Sequence, residues 1–115
     1  MSQDEKKIGY RRERLERLAA EVLEFDLLPS LNDPLLEDLH ILHVEVLGHL
    51  SGFHVTLVSG DKAVAAPVEQ VQERLRRAQH FLRSELAGCL RIKRMPTLRL
   101  TYIPLRLERT KGGAE

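Results

Sequence analysis

The residues able to act on a partner are arginines and lysines in three groups. Arg91, Lys93 and Arg94 stand between a helical pattern and a strand pattern, with Arg83 and Arg99 close in sequence. Arg11, Arg12, Arg14 and Arg17 crowd one short stretch, and Arg74, Arg76 and Arg77 share another. Clustered guanidinium and ammonium groups hold phosphates, the part of nucleic-acid binding that positions without reading sequence. Two of the groups also have a plainer reading. Cations at a helix C-terminus complement its dipole, which would account for Arg91, Lys93 and Arg94. A helix needs a solvated face, which would account for Arg74, Arg76 and Arg77. At the predicted start of a helix the dipole argument runs the other way, so Arg11, Arg12, Arg14 and Arg17 favour an external anion.

Other chemistry is poorly supplied. The five histidines are His40, His43, His49, His54 and His80. His40 and His43 are three apart in a predicted strand and point to opposite faces unless the backbone bulges, which argues against a shared metal; no metal site is expected. His80 offers a base-stacking or phosphate-bonding group, or simply a helix-surface histidine. The lone Cys89 falls on a predicted apolar face, where a thiol is inert, and cannot form an internal disulfide. Gly-x-Gly-x-x-Gly, P-loop and Gly-x-Ser-x-Gly patterns are absent, so neither an enzyme nor a cofactor is expected. Phe25, Phe53 and Phe81 read as core residues rather than stacking platforms.

The charge is distributed unevenly. Through Glu69 there are seven Lys/Arg against thirteen Asp/Glu, and from Gln70 onward eleven against four, within a net charge of +1. This points to one anionic partner meeting one face, nucleic acid ahead of membrane; a basic face meeting an acidic protein is the alternative. The sequence has no apolar run long enough to span a bilayer and no signal-peptide pattern, so a soluble cytoplasmic protein is expected.

The elements that must position these residues follow from periodicity. Residues 1–10 are polar and expected to fray. From Arg11 onward, Leu15, Leu18, Val22 and Phe25 keep helical spacing, and Pro29 and Asn32-Asp33-Pro34 end that helix. The run LEDLHILHVEVL is apolar at both parities, as in a strand covered on both faces or the middle strand of a small sheet. Phe53, Val55 and Leu57 alternate as its hairpin partner, closed by Ser59-Gly60-Asp61. A long helical pattern runs from Ala63 to Leu90 with Pro67 in its first turn, and its length predicts a kink or break inside it. Thr97 to Ile103 is the last strand, and residues 105–115 form a tail expected to be loose. The order αββααβ gives an α+β domain over residues 11–104: a three-stranded sheet with its helices packed on one face.

This order, together with several motifs, resembles the ribosome-binding factor A family. The motifs are Arg11, Arg14 and Leu15 at the start, Asp33-Pro34, and Val44 to Val46. To these is added a signature carried by Ala78, Phe81, Leu82, Arg83, Arg91, Lys93, Arg94, Pro96, Leu98 and Tyr102. The resemblance implies a type II KH-like fold with a helix break near Ala78 to His80. It also implies a non-enzymatic assembly factor of the small ribosomal subunit (30S), binding immature 16S rRNA near its 5′-terminal helix and supporting late maturation and rRNA processing. An assembly GTPase is a candidate further partner, and a monomer is expected. The RNA-binding candidates are Arg11, Arg12, Arg14, Arg17, Arg76, Arg77, His80, Arg83, Arg91, Lys93 and Arg94. The sequence departs from the family at His80, where the break carries a glycine, and at Ile103, where an acid follows the aromatic of the last strand.

Overall fold

The computed structural model describes residues 3–48, 51–61, 63–92, 94 and 96–105. His49, Lys93, Met95 and the tail from residue 106 lie outside these.

A single helical rod opens the chain. Helix α1 (Gln3–Glu21) passes through a π-helical turn, Val22–Leu27, into a last α-helical turn, α2 (Leu28–Ser30). It starts at Gln3 rather than Arg11, so the arginines from Arg11 to Arg17 occupy its middle. The dipole acts within the first and last turns only, so their crowding does not oppose it. The π-turn also changes which residues face inward. Its hydrogen bonds reach five residues along, as in Leu28 N–H to Leu23 C=O. Each such turn therefore takes up one more residue than an α-turn. Ala19, Leu23, Leu27 and Leu28 are buried, while Phe25 is 71% exposed. The α-periodic stripe ending at Phe25 is thus corrected by one register step.

Asp33 starts the next turn, α3 (Pro34–Glu37): its side chain accepts the Leu35 N–H at 3.0 Å, with Pro34 at the first helical position, where its missing N–H costs nothing. Leu36 and Glu37, read as the start of the strand run, are therefore helical. Strand β1 (Leu39–Leu47) pairs antiparallel with β2 (Gly52–Ser59), and β2 pairs parallel with β3 (Thr97–Ile103), in the order β1-β2-β3. A bulge between Ile41 and His43 leaves Leu42 exposed. It explains the mixed parity of the sequence: the run is an edge strand with one inserted residue, not a strand covered on both faces or the middle strand of the sheet. The bulge also puts His40 and His43 opposite Val58 and Thr56, two positions on the same face of β2. Their predicted opposition is corrected.

The core lies between one sheet face and the helices. Val44, Val46, Phe53, Val55, Leu57, Leu98 and Tyr102 supply the sheet side, and Leu23, Leu28, Val71, Leu75, Leu82 and Leu86 the helix side. Gly52 is required where β3 starts beside β2, because a Cβ there would sit 2.6 Å from the Thr97 carbonyl oxygen. On the opposite face β2 carries His54 and Thr56, and β3 carries Arg99 and Thr101, all partly or fully exposed.

A 3-10 turn (Ala63–Ala65) and Pro67 lead into α4 (Val68–Cys89). Pro67 stands just before the helix rather than inside its first turn. Helix α4 is a single α-helix straight through Ala78, Gln79 and His80, so the predicted break, and with it a second helix before β3, is absent. The sequence gives the physical reason. No glycine or proline lies between Val68 and Ala87, and histidine is an ordinary helix residue. Replacing His80 with Gly should lower stability by about 0.5–1 kcal/mol, the usual cost of glycine in a helix interior. A stability unchanged or raised in urea denaturation would show that a break is latent there.

Of the residues placed on the apolar face by sequence, Phe81 and Cys89 are exposed, while Leu82 and Leu86 are buried as expected. Burial therefore does not make the Cys89 thiol inert, contrary to the expectation from spacing.

Candidate nucleic-acid interface

The two outer strands differ in what covers them. Along β1, α1 and the π-turn place three side chains against the backbone. Arg12 donates to the carbonyl oxygens of Val46 and Gly48, each at 2.8 Å, Glu16 accepts the Val46 N–H at 3.0 Å, and Glu24 accepts the Ile41 N–H at 2.9 Å. These bonds close an edge that would otherwise offer unpaired groups to another chain. Arg12, a predicted phosphate ligand, is therefore committed to the fold.

Along β3 the edge is bordered by a groove of about 570 Å³ against α4, lined by Gln72, Leu75, Arg76, Gln79 and the strand from Thr97 to Tyr102. Gln79 donates its amide N–H to the Leu98 carbonyl oxygen, and Arg83, one turn on, donates Nε–H to the Pro96 carbonyl at 2.9 Å. These two side chains stitch α4 to the strand and fix the groove's width. Arg83 thus positions the groove; Gln72 and Arg76 line it from α4, while Arg99 and Thr101 border it from β3 with their side chains on the open sheet face. The groove thus sets amide and guanidinium groups of α4 beside the strand, with the Arg99 guanidinium and the Thr101 hydroxyl across the strand on the open face. Such a surface suits a phosphodiester backbone.

The basic residues of α4 are not free charges. Glu73 accepts from Arg76 Nε at 3.1 Å and Nη2 at 2.6 Å, and from Arg77 Nε at 3.1 Å. The Arg76 hydrogen bond is the largest cause holding the Glu73 carboxyl below its usual range, partly offset by desolvation and reinforced by Arg77. The same bond raises Arg76. Any phosphate must compete with Glu73. Glu73→Gln should therefore tighten binding to a polyanion roughly two- to five-fold at low salt, the scale of one exposed ion pair. An unchanged Kd for single-stranded RNA would contradict it. Arg77 turns to the other side of α4, where Arg74 pairs with Asp33 at 2.7 Å. Asp33 thereby both caps α3 and anchors it to α4.

The remaining candidates separate into places. Arg11 and Arg14 of α1 meet Arg91 around a second cleft. Arg17, His80 and Arg94 are exposed, without hydrogen bond or ion pair among the described residues, and Lys93 lies outside them. His54 bonds Thr101 at 2.8 Å across the open sheet face. Among the described residues, no group of three or more His, Cys, Asp or Glu side chains is placed to hold a metal. No described helix is long and apolar enough to cross a membrane. Sequence reasoning did not select Gln72, Gln79, Arg99 or Thr101 as site residues. Arg99 entered only as a cation close in sequence to the Arg91 to Arg94 group, and the glutamines carried no signal before α4 was set against β3.

No family model matches the sequence, and no curated protein does. Among solved structures, the fold matches the crystal structure of ribosome-binding factor A from Thermus thermophilus. The TM-score is 0.63 and the identity 26%, over 81% of this chain and 94% of that one. The chain has the fold of ribosome-binding factor A. Against the expectation drawn from the ribosome-binding factor A family, the surface at Ala78 to His80 is a regular helix face. The side chains bordering β3 here come from successive turns of one helix, at Gln72, Arg76, Gln79 and Arg83, not from a broken segment.

Proposed function

We propose that the chain is a non-enzymatic assembly factor of the small ribosomal subunit. It binds immature 16S rRNA near its 5′-terminal helix, with the groove between α4 and β3 receiving the RNA backbone. The observation that carries this reading is the structural match to a ribosome-binding factor at 26% identity over nearly the whole of that chain. The polar and cationic lining of the groove supports it from the chemistry, since Arg76 and Arg99 offer guanidinium groups on either side of an open strand edge. The work done is positioning: an rRNA conformation is held through the last stages of maturation and processing, and an assembly GTPase is a candidate for ending the association. The reading places the protein in the cytoplasm as a monomer.

The test is sedimentation of cell extract through a sucrose gradient. The protein should travel with free small subunits and their precursors and leave them as salt rises, because released counterions drive such binding. Sedimentation with neither subunits nor complete ribosomes would overturn the assignment.

A further inference from the structure

The second cleft differs from the groove in its chemistry. Its volume is about 430 Å³, its floor is Leu15, Leu18, Leu90 and Ile92, and its rim is Arg11, Arg14 and Arg91. We propose that this cleft docks an acidic amphipathic helix of a partner protein, a second binding surface independent of the rRNA reading.

Three observations carry it. First, the floor is aliphatic. Bases stack on aromatic or guanidinium planes, and phosphates need only the rim, so a nucleic acid would leave four apolar side chains facing water. A helix with apolar residues at i, i+3, i+4 and i+7 covers such a floor, and its flanking carboxylates pair with guanidinium forks. Second, the rim arginines differ from those of α4 in their pairing among the described residues. Arg74, Arg76 and Arg77 are paired with Asp33 or Glu73, whereas Arg11, Arg14 and Arg91 make no ion pair among the described residues. Third, Arg91 holds a backbone conformation suited to glycine. It follows α4 with φ +57°, and Ile92 N–H bonds the Ala87 carbonyl at 2.9 Å, the six-to-one closure of a helix C-terminus. Glycine is the usual residue at that left-handed position. An arginine there accepts backbone strain in a place where its side chain reaches the cleft, and strain of this kind points to a role in binding.

Arg91→Gly therefore separates binding from folding, because it relieves the backbone while deleting the rim charge. The probe is a fluorescein-labelled peptide of about 16 residues, roughly four helical turns. It carries Leu on one face and Glu on the flanks, and is compared with a peptide of the same composition whose Leu residues are scattered around the helix. Fluorescence anisotropy should show the amphipathic peptide binding at least about tenfold more tightly than the scattered one. Arg91→Gly and the double variant Arg11→Glu/Arg14→Glu should each weaken it about tenfold or more. The thermal midpoint of Arg91→Gly should be unchanged or higher. No binding, or equal binding of both peptides, overturns the proposal. Displacement of the peptide by an RNA oligonucleotide whose own affinity falls in the same variants overturns it in favour of a polyanion face. Concentration-dependent dimerisation in ultracentrifugation, lost in the double variant, overturns it in favour of a second copy of the chain. Loss of ribosomal co-sedimentation in the gradient leaves these outcomes unaffected, since they are read on the isolated chain.

Discussion

Leu23→Ala should lower the stability of the domain by about 2–5 kcal/mol, whereas Phe25→Ala should change it by no more than about 0.5 kcal/mol. The larger aromatic is the smaller loss because of one backbone feature. The π-turn from Val22 to Leu27 turns Leu23 fully into the core, 1% exposed, and swings Phe25 out to solvent. Truncating Leu23 removes its apolar atoms from the core and leaves a cavity among Ala19, Leu27 and the α4 residues that share that core. Truncating Phe25 removes surface that water already reaches. Urea denaturation of the two variants checks the pair, with the shift in midpoint read at constant m-value. A Phe25→Ala loss as large as that of Leu23→Ala would mean that the rod is α-helical throughout in solution, with the stripe Leu15, Leu18, Val22 and Phe25 facing inward.

The same irregularities mark the limit of what the sequence could show. The strand pair, its turn between Leu47 and Gly52, and the last strand Thr97–Ile103 were legible, because alternation with period two and turn residues at both ends leave few other solutions. Helix α4 was legible as a pattern but not as one piece: its length and a family resemblance argued for a break, and the absence of any glycine or proline in its middle decided against one. A π-turn and a β-bulge insert a single residue into a period, so every position after them changes face without any change in composition. Phe25 and Leu42 are the visible results, and Glu24 joins the two places by accepting the Ile41 N–H at 2.9 Å from within the π-turn.

The site was legible in residue type and not in commitment. Every described arginine from Arg11 to Arg99 is at least partly exposed, but Arg12, Arg74 and Arg83 direct their donors to Val46 and Gly48, to Asp33 and to Pro96. A guanidinium looks the same in sequence whether it meets a backbone carbonyl or a phosphate. Only the packing of α1 along β1 and of α4 along β3 tells these apart. It also divides the exposed cations between a polar groove and an apolar cleft, a distinction that charge counting cannot make.

That division yields the second large effect. The double variant Arg76→Ala/Arg99→Ala should lower affinity for small-subunit precursors and flatten its dependence on salt. Each phosphate contact releases counterions, so the slope of log K against log salt should fall by roughly 0.7–0.9 for every phosphate no longer neutralised, or about 1.4–1.8 for the pair. Arg11→Ala/Arg14→Ala is the control with the same change of charge: it removes cations from the apolar cleft and should leave that slope within about 0.5 of the unaltered protein, apart from a small long-range effect that salt screens. Both pairs are exposed, so neither change threatens the core. Binding isotherms at several salt concentrations, from low to physiological, separate the cases. Equal flattening in both double variants would assign phosphates to α1 as well as to the groove. Flattening only in Arg11→Ala/Arg14→Ala would move the RNA surface to the cleft beside α1. The expected result, a shallower slope from Arg76 and Arg99 alone, places the RNA backbone along the β3 edge, where Gln79 and Arg83 hold the helix at a fixed distance from the strand.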